Sequence, residues 1–333
     1  MRAGVIGCGP HGRRVIDALE QLGHEVVGLV DQRPAALAAV GTAPGAERLA
    51  HADALWAMHP ELVCITTNGP SHAKLAIAAM QAGIRRVLVE KPLACSVAEC
   101  AAMLEQATAS STRLAVDQLR RHDPVYQWLR ERIASGIWGR VCTMWMQRPG
   151  IGLGCNGTHS FDLVRFLTRC EAVRVTGWVD APLGLNPRGA EFVDPGGLVV
   201  MELDGGARAV IAQPEDCAGP TSVEVELTGA RVRVDERTGA VEVIERDLSV
   251  KPGPTQGVVY RDVPTPTGLP RDLGSMIRGV LVELTGDGPM QCDARHGLSA
   301  VEVLAAAYLS HKSRGPVSLP LSPEGRGLWL PVT

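Results

Sequence analysis

The sequence predicts an α/β protein with an N-terminal doubly wound parallel sheet and a C-terminal α+β domain whose sheet is open and mainly antiparallel. From residue 3 to residue 116, short apolar runs alternate with helix-like segments, the order typical of a parallel sheet. After residue 172 the apolar runs follow one another without intervening helices, which indicates antiparallel pairing. A chain of 333 residues also exceeds one ordinary domain. We therefore expect domains at 1–121 and 122–333.

The first 33 residues have the order strand, glycine turn, helix and strand. An apolar run at Ala3–Ile6 leads into three glycines with the spacing G-x-G-x-x-G, and a second run at Val26–Val30 stops at Asp31. Between them, apolar residues recur at helical spacing until Gly23, namely Val15, Ile16, Leu19 and Leu22. This order is much more specific than the glycine spacing alone.

Each glycine of this turn has a physical role in a dinucleotide-binding unit. Gly7 permits a tight turn, Gly9 lets backbone approach a pyrophosphate, and Gly12 lets helix and strand pack closely. The helix N-terminus would face the phosphates, and Asp31 would accept hydrogen bonds from the adenosine ribose. Asp31 favours NAD because its charge would repel a 2′-phosphate, whereas Arg33 keeps NADP open. The alternative is a βαβ unit that binds no dinucleotide.

Composition narrows the class of protein further. Hydrophobic residues make up 45% and charged residues 21%, and the net charge of -3 is spread along the chain, which suggests neither a nucleic-acid nor a membrane partner. Because the chain opens on a core strand and no apolar run approaches about 20 residues, we expect no cleaved signal peptide and no membrane span. On these two grounds we expect a cytoplasmic location. The nine cysteines are scattered without a C-x-x-C pair, so we expect reduced, mostly buried thiols and no metal site.

Further strands and helices continue the alternation. We predict helices at Pro34–Val40 and Ala52–Met58 around a loop at Gly41–Gly45. Ser71 is expected to cap a helix that ends at Gly83, and Ser96 with Glu99 gives a capping box for a helix over Val97–Ala109. The remaining predicted strands of this half are Leu62–Ile65, Val87–Val89 and Leu114–Val116.

Ligands of such sheets lie across the carboxyl ends of the strands. Lys91 stands there between an acid and a proline, although a solvated surface lysine is the ordinary alternative. For His72, helix capping competes with a ligand contact. The residues that we expect to contact the cofactor are Gly7, Cys8, Gly9, Pro10, His11, Gly12, Asp31, Gln32, Arg33, Thr66, Thr67, Asn68, His72, Glu90, Lys91, Pro92 and Gln118.

The second half begins with a helix at Val125–Ser135, a strand at Arg140–Gln147 and a glycine-dense stretch, Gly150–Gly157. His159, Asp162, Leu163 and Phe166 then share one helix face. We predict a surface loop at Lys251–Pro270. The predicted later strands include Val173–Val179, Leu198–Leu203, Arg208–Ile211, Val223–Leu227 and Val241–Ile244, and the predicted closing helices are Arg271–Leu284 and Gly297–Lys312.

Taken together, these motifs resemble the glucose–fructose oxidoreductase / inositol dehydrogenase (Gfo/Idh/MocA) family of NAD(P)-dependent dehydrogenases. The resemblance runs from residue 5 to about residue 310. It rests on Val5-Ile6-Gly7-Cys8-Gly9 with Gly12, Asp31, Thr67-Asn68 with His72, Glu90-Lys91-Pro92, Arg121 with Pro124, Gly157-Thr158-His159 with Asp162, and Ala307-Tyr308-Leu309-Ser310.

The resemblance implies a Rossmann domain, a C-terminal domain with an open sheet, and oxidation of a secondary alcohol of a sugar or cyclitol, or the reverse reduction. It also implies that Lys91 lies beside the nicotinamide and the reacting hydroxyl, that His159 accepts or donates the proton, and that the open sheet builds a homodimer or homotetramer. Histidine titrates in the useful range, and a nearby ammonium would stabilise an alkoxide-like oxygen. For His159 a capping or core role is the alternative, and Asp162 fits an orienting role better than catalysis.

One position departs from the family pattern. The residue four before the histidine is often an acid or amide that shares the substrate hydroxyl, but here it is Cys155, followed by Asn156. We expect Cys155, Asn156, Arg121 and Arg148 at the substrate, and Arg120 could join them. Arginines there would indicate a carboxylate or phosphate on the substrate, although they could equally hold the domains together.

Three activities therefore remain open at this point. The first is a dehydrogenase of a sugar-like alcohol. The second is a catalytically impaired relative that binds dinucleotide as a regulator or assembly subunit, which the thiol at Cys155 favours. The third is an enzyme with changed chemistry, such as reduction of an imine or an enoyl-like double bond, or a redox-neutral reaction on a tightly held cofactor.

Overall fold

The computed structural model describes residues 1–150, 152–182, 184, 186, 189–247, 249–251, 257, 259–265, 269 and 271–332. These residues form one sheet of six strands and one of nine. The first sheet is parallel throughout, and the second is antiparallel except for one pair. The predicted fold class is confirmed.

The first sheet has the strand order β3-β2-β1-β4-β5-β6. The chain adds strands on one side of β1 and then returns to add the rest on the other side, so a crevice opens at the carboxyl ends of β1 and β4. The strands are β1 (Arg2–Ile6), β2 (Glu25–Val30), β3 (Glu47–Leu49), β4 (Leu62–Ile65), β5 (Arg86–Val89) and β6 (Arg113–Val116).

Five helices connect these strands. In the first, Val15, Ile16 and Leu19 are fully buried, as the helical spacing predicted. Before the fifth, Ser96 accepts a hydrogen bond from the amide of Glu99, the predicted cap. The helices are α1 (Pro10–Gln21), α2 (Pro34–Ala38), α3 (Ala52–Ala57), α4 (Gly69–Gln81) and α5 (Val97–Ser110).

Ser71 does not cap its helix, so that prediction is wrong. Helix α4 begins two residues earlier, at Gly69, with Asn68 in the capping position. The fixed φ of Pro70 is already suited to the first helical turn, and this favours the earlier start. The hydroxyl of Ser71 instead donates to the carbonyl of Asn68.

The second sheet has the order β14-β13-β12-β11-β7-β10-β9-β8-β15, with β7 and β10 parallel. Burial alternates along β9 and β11, so one face of the sheet packs on the core. The strands are β7 (Val141–Gln147), β8 (Ala172–Val179), β9 (Gly197–Leu203), β10 (Arg208–Gln213), β11 (Ser222–Leu227), β12 (Ala230–Asp235), β13 (Val241–Arg246), β14 (Tyr260–Asp262) and β15 (Val317–Ser318).

The predicted loop at Lys251–Pro270 is interrupted by β14, which pairs with β13. The remainder of that stretch lies partly outside the described residues. The helices of this half are α6 (Pro124–Ala134), α7 (Thr158–Thr168), α8 (Leu273–Thr285), α9 (Ala294–Ser313) and α10 (Pro323–Arg326). In the described part of the chain, no helix combines the length and apolar character needed to cross a membrane.

Helix α8 returns to the first sheet, although it follows the second in sequence. Its residues Ile277, Val280 and Leu281 share a buried core with Val15 and Ile16 of α1. The chain that leaves the first sheet after residue 121 therefore re-enters its core, and the two sheets are joined by more than one connection.

A close approach between α9 and β8 gives a test of this packing. A side chain at Gly177 would place its Cβ 2.5 Å from the carbonyl oxygen of Ala307, so Gly177→Ala should lower the free energy of unfolding by about 1–3 kcal/mol. Gly41→Ala is the control, because a Cβ at Gly41 meets no atom within 4 Å. Both substitutions reduce the conformational freedom of the unfolded chain in the same way. Urea unfolding of both variants measures the difference, and equal stabilities would contradict the packing.

Candidate active site

The glycine turn after β1 is shaped by its own close contacts. Gly7 has φ +97°, and a Cβ there would lie 2.6 Å from the carbonyl oxygen of Thr66. A Cβ on Gly12 would lie 1.9 Å from the carbonyl oxygen of Gly7. Gly9 differs, because its nearest neighbour would be Nη2 of Arg33 at 3.9 Å. Gly7 and Gly12 thus close the turn, while Gly9 leaves room above it for a phosphate group.

Asp31 ends β2 beside this turn. Its Oδ2 accepts a hydrogen bond from the amide of Cys8 at 2.8 Å, and its Oδ1 accepts one from the amide of Arg33 at 2.9 Å. Burial alone would raise the pKa of Asp31, but the hydrogen bonds from Arg33 and Cys8 outweigh it and hold the pKa below its usual value. A fixed carboxylate beside a phosphate-binding turn fits the ribose of an adenine dinucleotide.

The other residues at this edge mainly hold the loops together. Thr66 Oγ1 donates to the carbonyl of Gly7 at 2.6 Å, and Thr67 Oγ1 lies 2.6 Å from the hydroxyl of Ser71. His72 is fully buried, with ring nitrogens 2.8 Å from the carbonyl oxygen of Pro92 and 3.1 Å from that of Thr67. It supports two loops beneath the site, which differs from the expected ligand contact. Asn68 precedes α4, and Gln32 is exposed.

Lys91 follows β5 and is not a surface lysine, since only 7% of it is exposed. Its Nζ donates to the carbonyl of Cys155 at 2.8 Å and lies 3.5 Å from the sulfur of that residue. Oε1 of Glu90 lies 3.7 Å from the same Nζ. The ammonium therefore joins the edge of the first sheet to the second half of the chain.

Cys155 lies in a π-helical turn, Leu153–Gly157, that runs directly into α7. The carboxylate of Asp194 accepts hydrogen bonds from the amides of Gly154 at 2.6 Å and Cys155 at 2.7 Å, which fixes the turn. No motif in the sequence indicated this role for Asp194.

His159 begins α7 one helical turn after Cys155. Its Nδ1 lies 2.9 Å from Oε1 of the buried Gln118, so Nδ1 carries the proton and Nε2 is the acceptor. Burial, and after it the positive charges of Arg120 and Lys91, lower the pKa of His159 well below its ordinary value. The charge of His11 acts in the same direction. A neutral imidazole with a free acceptor nitrogen is suited to take a proton from a hydroxyl group.

His11 has a larger role than the cofactor contact that the sequence suggested. Its Nε2 lies 2.7 Å from Oδ2 of Asp117 and 3.5 Å from Oε2 of Glu90. Burial would lower the pKa of His11, but Glu90 and Asp117 together raise it to about 9. Burial raises the pKa of Asp117. The ligand atoms of His11, Glu90 and Asp117 lie within 4.8 Å of one another, a spacing that could also hold a metal ion.

The two neighbouring arginines after β6 point to different places. Arg121 is buried, and its guanidinium binds Asp162 through Nε at 2.8 Å and through Nη2 at 2.6 Å. Its Nη1 donates to the carbonyl of Gln291 at 2.9 Å. Arg121 therefore joins the turn after β6 to α7, instead of facing the substrate as the sequence had suggested. Asp162 is its partner, in keeping with the expected orienting role.

Arg120, Arg148 and Asn156 lie elsewhere, around a cavity of about 260 Å³. Asn156 follows Cys155, which binds Lys91, and Arg120 lies two residues after Gln118, which binds His159. The charges of Lys91 and Arg120 both act on His159, and Arg120, Arg148 and Asn156 line the same cavity.

Comparisons with known proteins agree with this geometry. A family model described as "Oxidoreductase family, NAD-binding Rossmann fold" matches residues 1–118. Inositol 2-dehydrogenase 3 of Saccharopolyspora erythraea is 28% identical over 243 residues, which cover 69% of this chain and 71% of that protein. D-apiose dehydrogenase of Paraburkholderia graminis is 34% identical over 149 residues, 42% of this chain and 39% of that protein.

Two solved structures show the same fold at low identity. The first is an NAD-binding oxidoreductase from Klebsiella pneumoniae, with a TM-score of 0.80 and 19% identity over 97% of this chain and 99% of that one. The second is the WlbA dehydrogenase from Bordetella pertussis in complex with NADH and UDP-GlcNAcA, with a TM-score of 0.78 and 21% identity over 97% and 98% of the two chains.

The raised pKa of His11 predicts a pH dependence of stability. Because the pKa of His11 rises from 6.5 to about 9 on folding, the folded chain holds a proton that the unfolded chain releases between these values. The contribution is complete below pH 6.5 and is lost as the pH rises through 9, by about 1–3 kcal/mol.

Urea unfolding between pH 6 and pH 10 tests this expectation. The His11→Gln/Asp117→Asn double variant replaces both groups by neutral amides, so it should lose less stability over that range than the wild type. Parallel pH profiles for the two proteins would rule out the raised pKa of His11.

Proposed function

We propose that this chain, which belongs to the Gfo/Idh/MocA family of oxidoreductases, interconverts a secondary alcohol and a ketone on a sugar, cyclitol or sugar-like molecule with NAD. The observation that carries the proposal is the buried ammonium of Lys91, held by the turn that leads into His159. Relatives named as inositol and apiose dehydrogenases support the substrate class.

The described residues fit an adenine dinucleotide. The open backbone at Gly9 and the N-terminus of α1 would hold the pyrophosphate, and Asp31 would hold the adenosine ribose. When bound, NAD supplies the acceptor for the hydride, and NADH supplies the donor in the reverse direction.

The protein residues handle the proton and the charge. In the oxidation, Nε2 of neutral His159 takes the proton of the substrate hydroxyl, while Gln118 holds the imidazole in the required tautomer. The ammonium of Lys91 donates a hydrogen bond to the same oxygen and stabilises its developing negative charge. In the reduction, protonated His159 returns the proton to the carbonyl oxygen.

Two further features concern location and assembly. All nine cysteines are described, and none forms a disulfide, which supports a reducing compartment such as the cytoplasm. Trp145 and Trp178 are about half exposed on strands of the second sheet. A homodimer or homotetramer formed through that sheet would cover them.

A second candidate is a catalytically impaired relative that binds dinucleotide as a regulator or assembly subunit. Cys155 favours it, because a thiol is a weak substitute for a carboxylate or amide as a hydrogen-bond acceptor. The backbone carbonyl of Cys155 also accepts a hydrogen bond from Nζ of Lys91, the group that would bind the substrate hydroxyl. Substrate turnover separates the two functions, because a regulator would bind NADH without reducing or oxidising any polyol.

Removal of either proposed catalytic group should abolish turnover and spare cofactor binding. We expect Lys91→Met and His159→Gln each to lower kcat by about 10²–10⁴-fold, since each removes one partner of the reacting oxygen. Turnover is measured as the change in NADH absorbance when the protein is incubated with NAD and each of a series of polyols and sugars. Binding of NADH is measured by the quenching of tryptophan fluorescence. Lys74→Met and His51→Gln change exposed residues of the same types and serve as controls. Normal turnover in both site variants would refute these roles.

Cofactor choice should depend on the charge of Asp31. The side chain of Arg33 lies beside this carboxylate, with Nε 3.2 Å from Oδ1. In Asp31→Ser the repulsion of a 2′-phosphate disappears and Arg33 becomes free to bind it, so the ratio of NADPH to NADH affinity should rise about tenfold or more. Titration of tryptophan fluorescence with each cofactor measures the ratio. The Asp31→Ser/Arg33→Ala double variant should lose this gain, and an unchanged ratio in Asp31→Ser would contradict the assignment.

A further inference from the structure

The cavity lined by Arg120, Arg148 and Asn156 is polar and large enough for a small molecule. Its volume of about 260 Å³ corresponds to about eight or nine water molecules. Arg120, Arg148, Arg271, Asn156 and Glu236 line it. Three guanidinium groups around one small cavity are unusual, and their balance of charge indicates what the cavity binds.

The cavity carries more positive than negative charge. Arg271 is neutralised by Asp123, whose Oδ2 accepts from its Nε at 2.7 Å. Arg120 and Arg148 share the single carboxylate of Glu236, with nitrogen atoms 3.7 Å and 2.5 Å from Oε1. Two guanidinium groups against one carboxylate leave an excess of one positive charge.

Several buried polar atoms at this cavity have no hydrogen-bond partner among the described residues. They are Nε of Arg148, which is only 4% exposed, Nη1 of Arg120 and Oε2 of Glu236, together with Nη2 of Arg148, which forms the ion pair with Glu236. Buried polar groups in folded proteins are almost always hydrogen-bonded. Among these atoms the donors outnumber the acceptor, in the same sense as the excess of positive charge.

Two residues that line the cavity are close sequence neighbours of the partners of Lys91 and His159, and the charge of Arg120 acts on His159. Asn156 follows Cys155, whose carbonyl binds Lys91, and the turn continues into His159. Arg120 lies two residues after Gln118, which holds His159. One small molecule could therefore place a carboxylate against the arginines and a hydroxyl group between Lys91 and His159.

We propose that the substrate is a polyhydroxylated carboxylic acid, a sugar acid in place of a neutral sugar or cyclitol, and that Arg120 and Arg148 bind its carboxylate while Glu236 accepts a hydrogen bond from a neighbouring hydroxyl. This inference rests on the proposed function, which it makes more specific. The single excess charge fits a monoanionic carboxylate better than a phosphate, which carries nearly two charges at neutral pH.

Binding measurements test the inference independently of turnover. D-gluconate, D-galactonate and D-glucuronate are compared with D-sorbitol, D-glucose and myo-inositol on the protein saturated with NADH, by isothermal titration calorimetry. We expect the acids to bind at least about tenfold more tightly, and the difference to shrink as salt is added. Equal or weaker binding of the acids would overturn the proposal, and tighter binding of glucose 6-phosphate than of any acid would assign the cavity to a phosphate instead.

Substitutions assign the preference to the arginines. Arg120→Met and Arg148→Met should reduce the ratio of acid to neutral affinity towards one while the affinity for NADH stays unchanged. Glu236→Gln removes the opposing charge and keeps the shape, so it should bind the acids more tightly. Arg237→Met changes an exposed arginine next to Glu236 and should have no effect.

If Arg148→Met does not fold, the other two variants still test the proposal. Arg120→Met should weaken acid binding, whereas Glu236→Gln should strengthen it. An acid preference that survives in Arg120→Met, or an acid affinity that does not rise in Glu236→Gln, would contradict the assignment. A lack of NADH formation with every acid, together with tight acid binding, would refute the dehydrogenase function and leave the binding site standing.

Discussion

The ammonium of Lys91 is the contact on which the rest of the site depends. It is buried, and burial of a charge without partners costs several kcal/mol. Its partners come from both parts of the chain, Glu90 at the edge of the first sheet and the carbonyl of Cys155 in the turn before α7. Satisfying this one charge therefore fixes the position of His159 relative to the crevice at the carboxyl ends of the first sheet.

Two histidines in the same crevice have opposite protonation because their partners differ. His11 faces the carboxylates of Asp117 and Glu90, which raise its pKa. His159 faces the neutral amide of Gln118, and burial, together with the positive charges of Arg120 and Lys91, lowers its pKa. The crevice therefore holds one positively charged imidazole, that of His11, and one neutral imidazole, that of His159. Opposite pKa shifts of this kind separate the roles of neighbouring titratable groups.

The sequence predicted the elements that have strong local signals, and it failed where partners are set by the fold. The glycine turn, the Ser96 cap and the buried strands follow from spacing and composition. The three-residue strand β3 was missed, because its Glu47 and Arg48 are exposed and carry no apolar pattern. Arg120 and Arg121 are adjacent residues of the same type in the 3-10 turn after β6, so their side chains leave the turn in different directions. Arg120 lines the cavity and Arg121 binds Asp162, a difference that residue type alone cannot predict.

The thiol at Cys155 is consistent with the charge of the neighbouring cavity. A carboxylate at this position would add a negative charge close to Lys91 and next to Asn156 of the cavity, and at an effective dielectric constant of about 20 its repulsion of an acidic substrate nearby would be worth a few kcal/mol. A neutral side chain removes that repulsion, and the arginines supply the recognition that an acid at this position would otherwise give. The departure from the family pattern and the excess positive charge therefore point to the same change, from a neutral polyol to an acidic one.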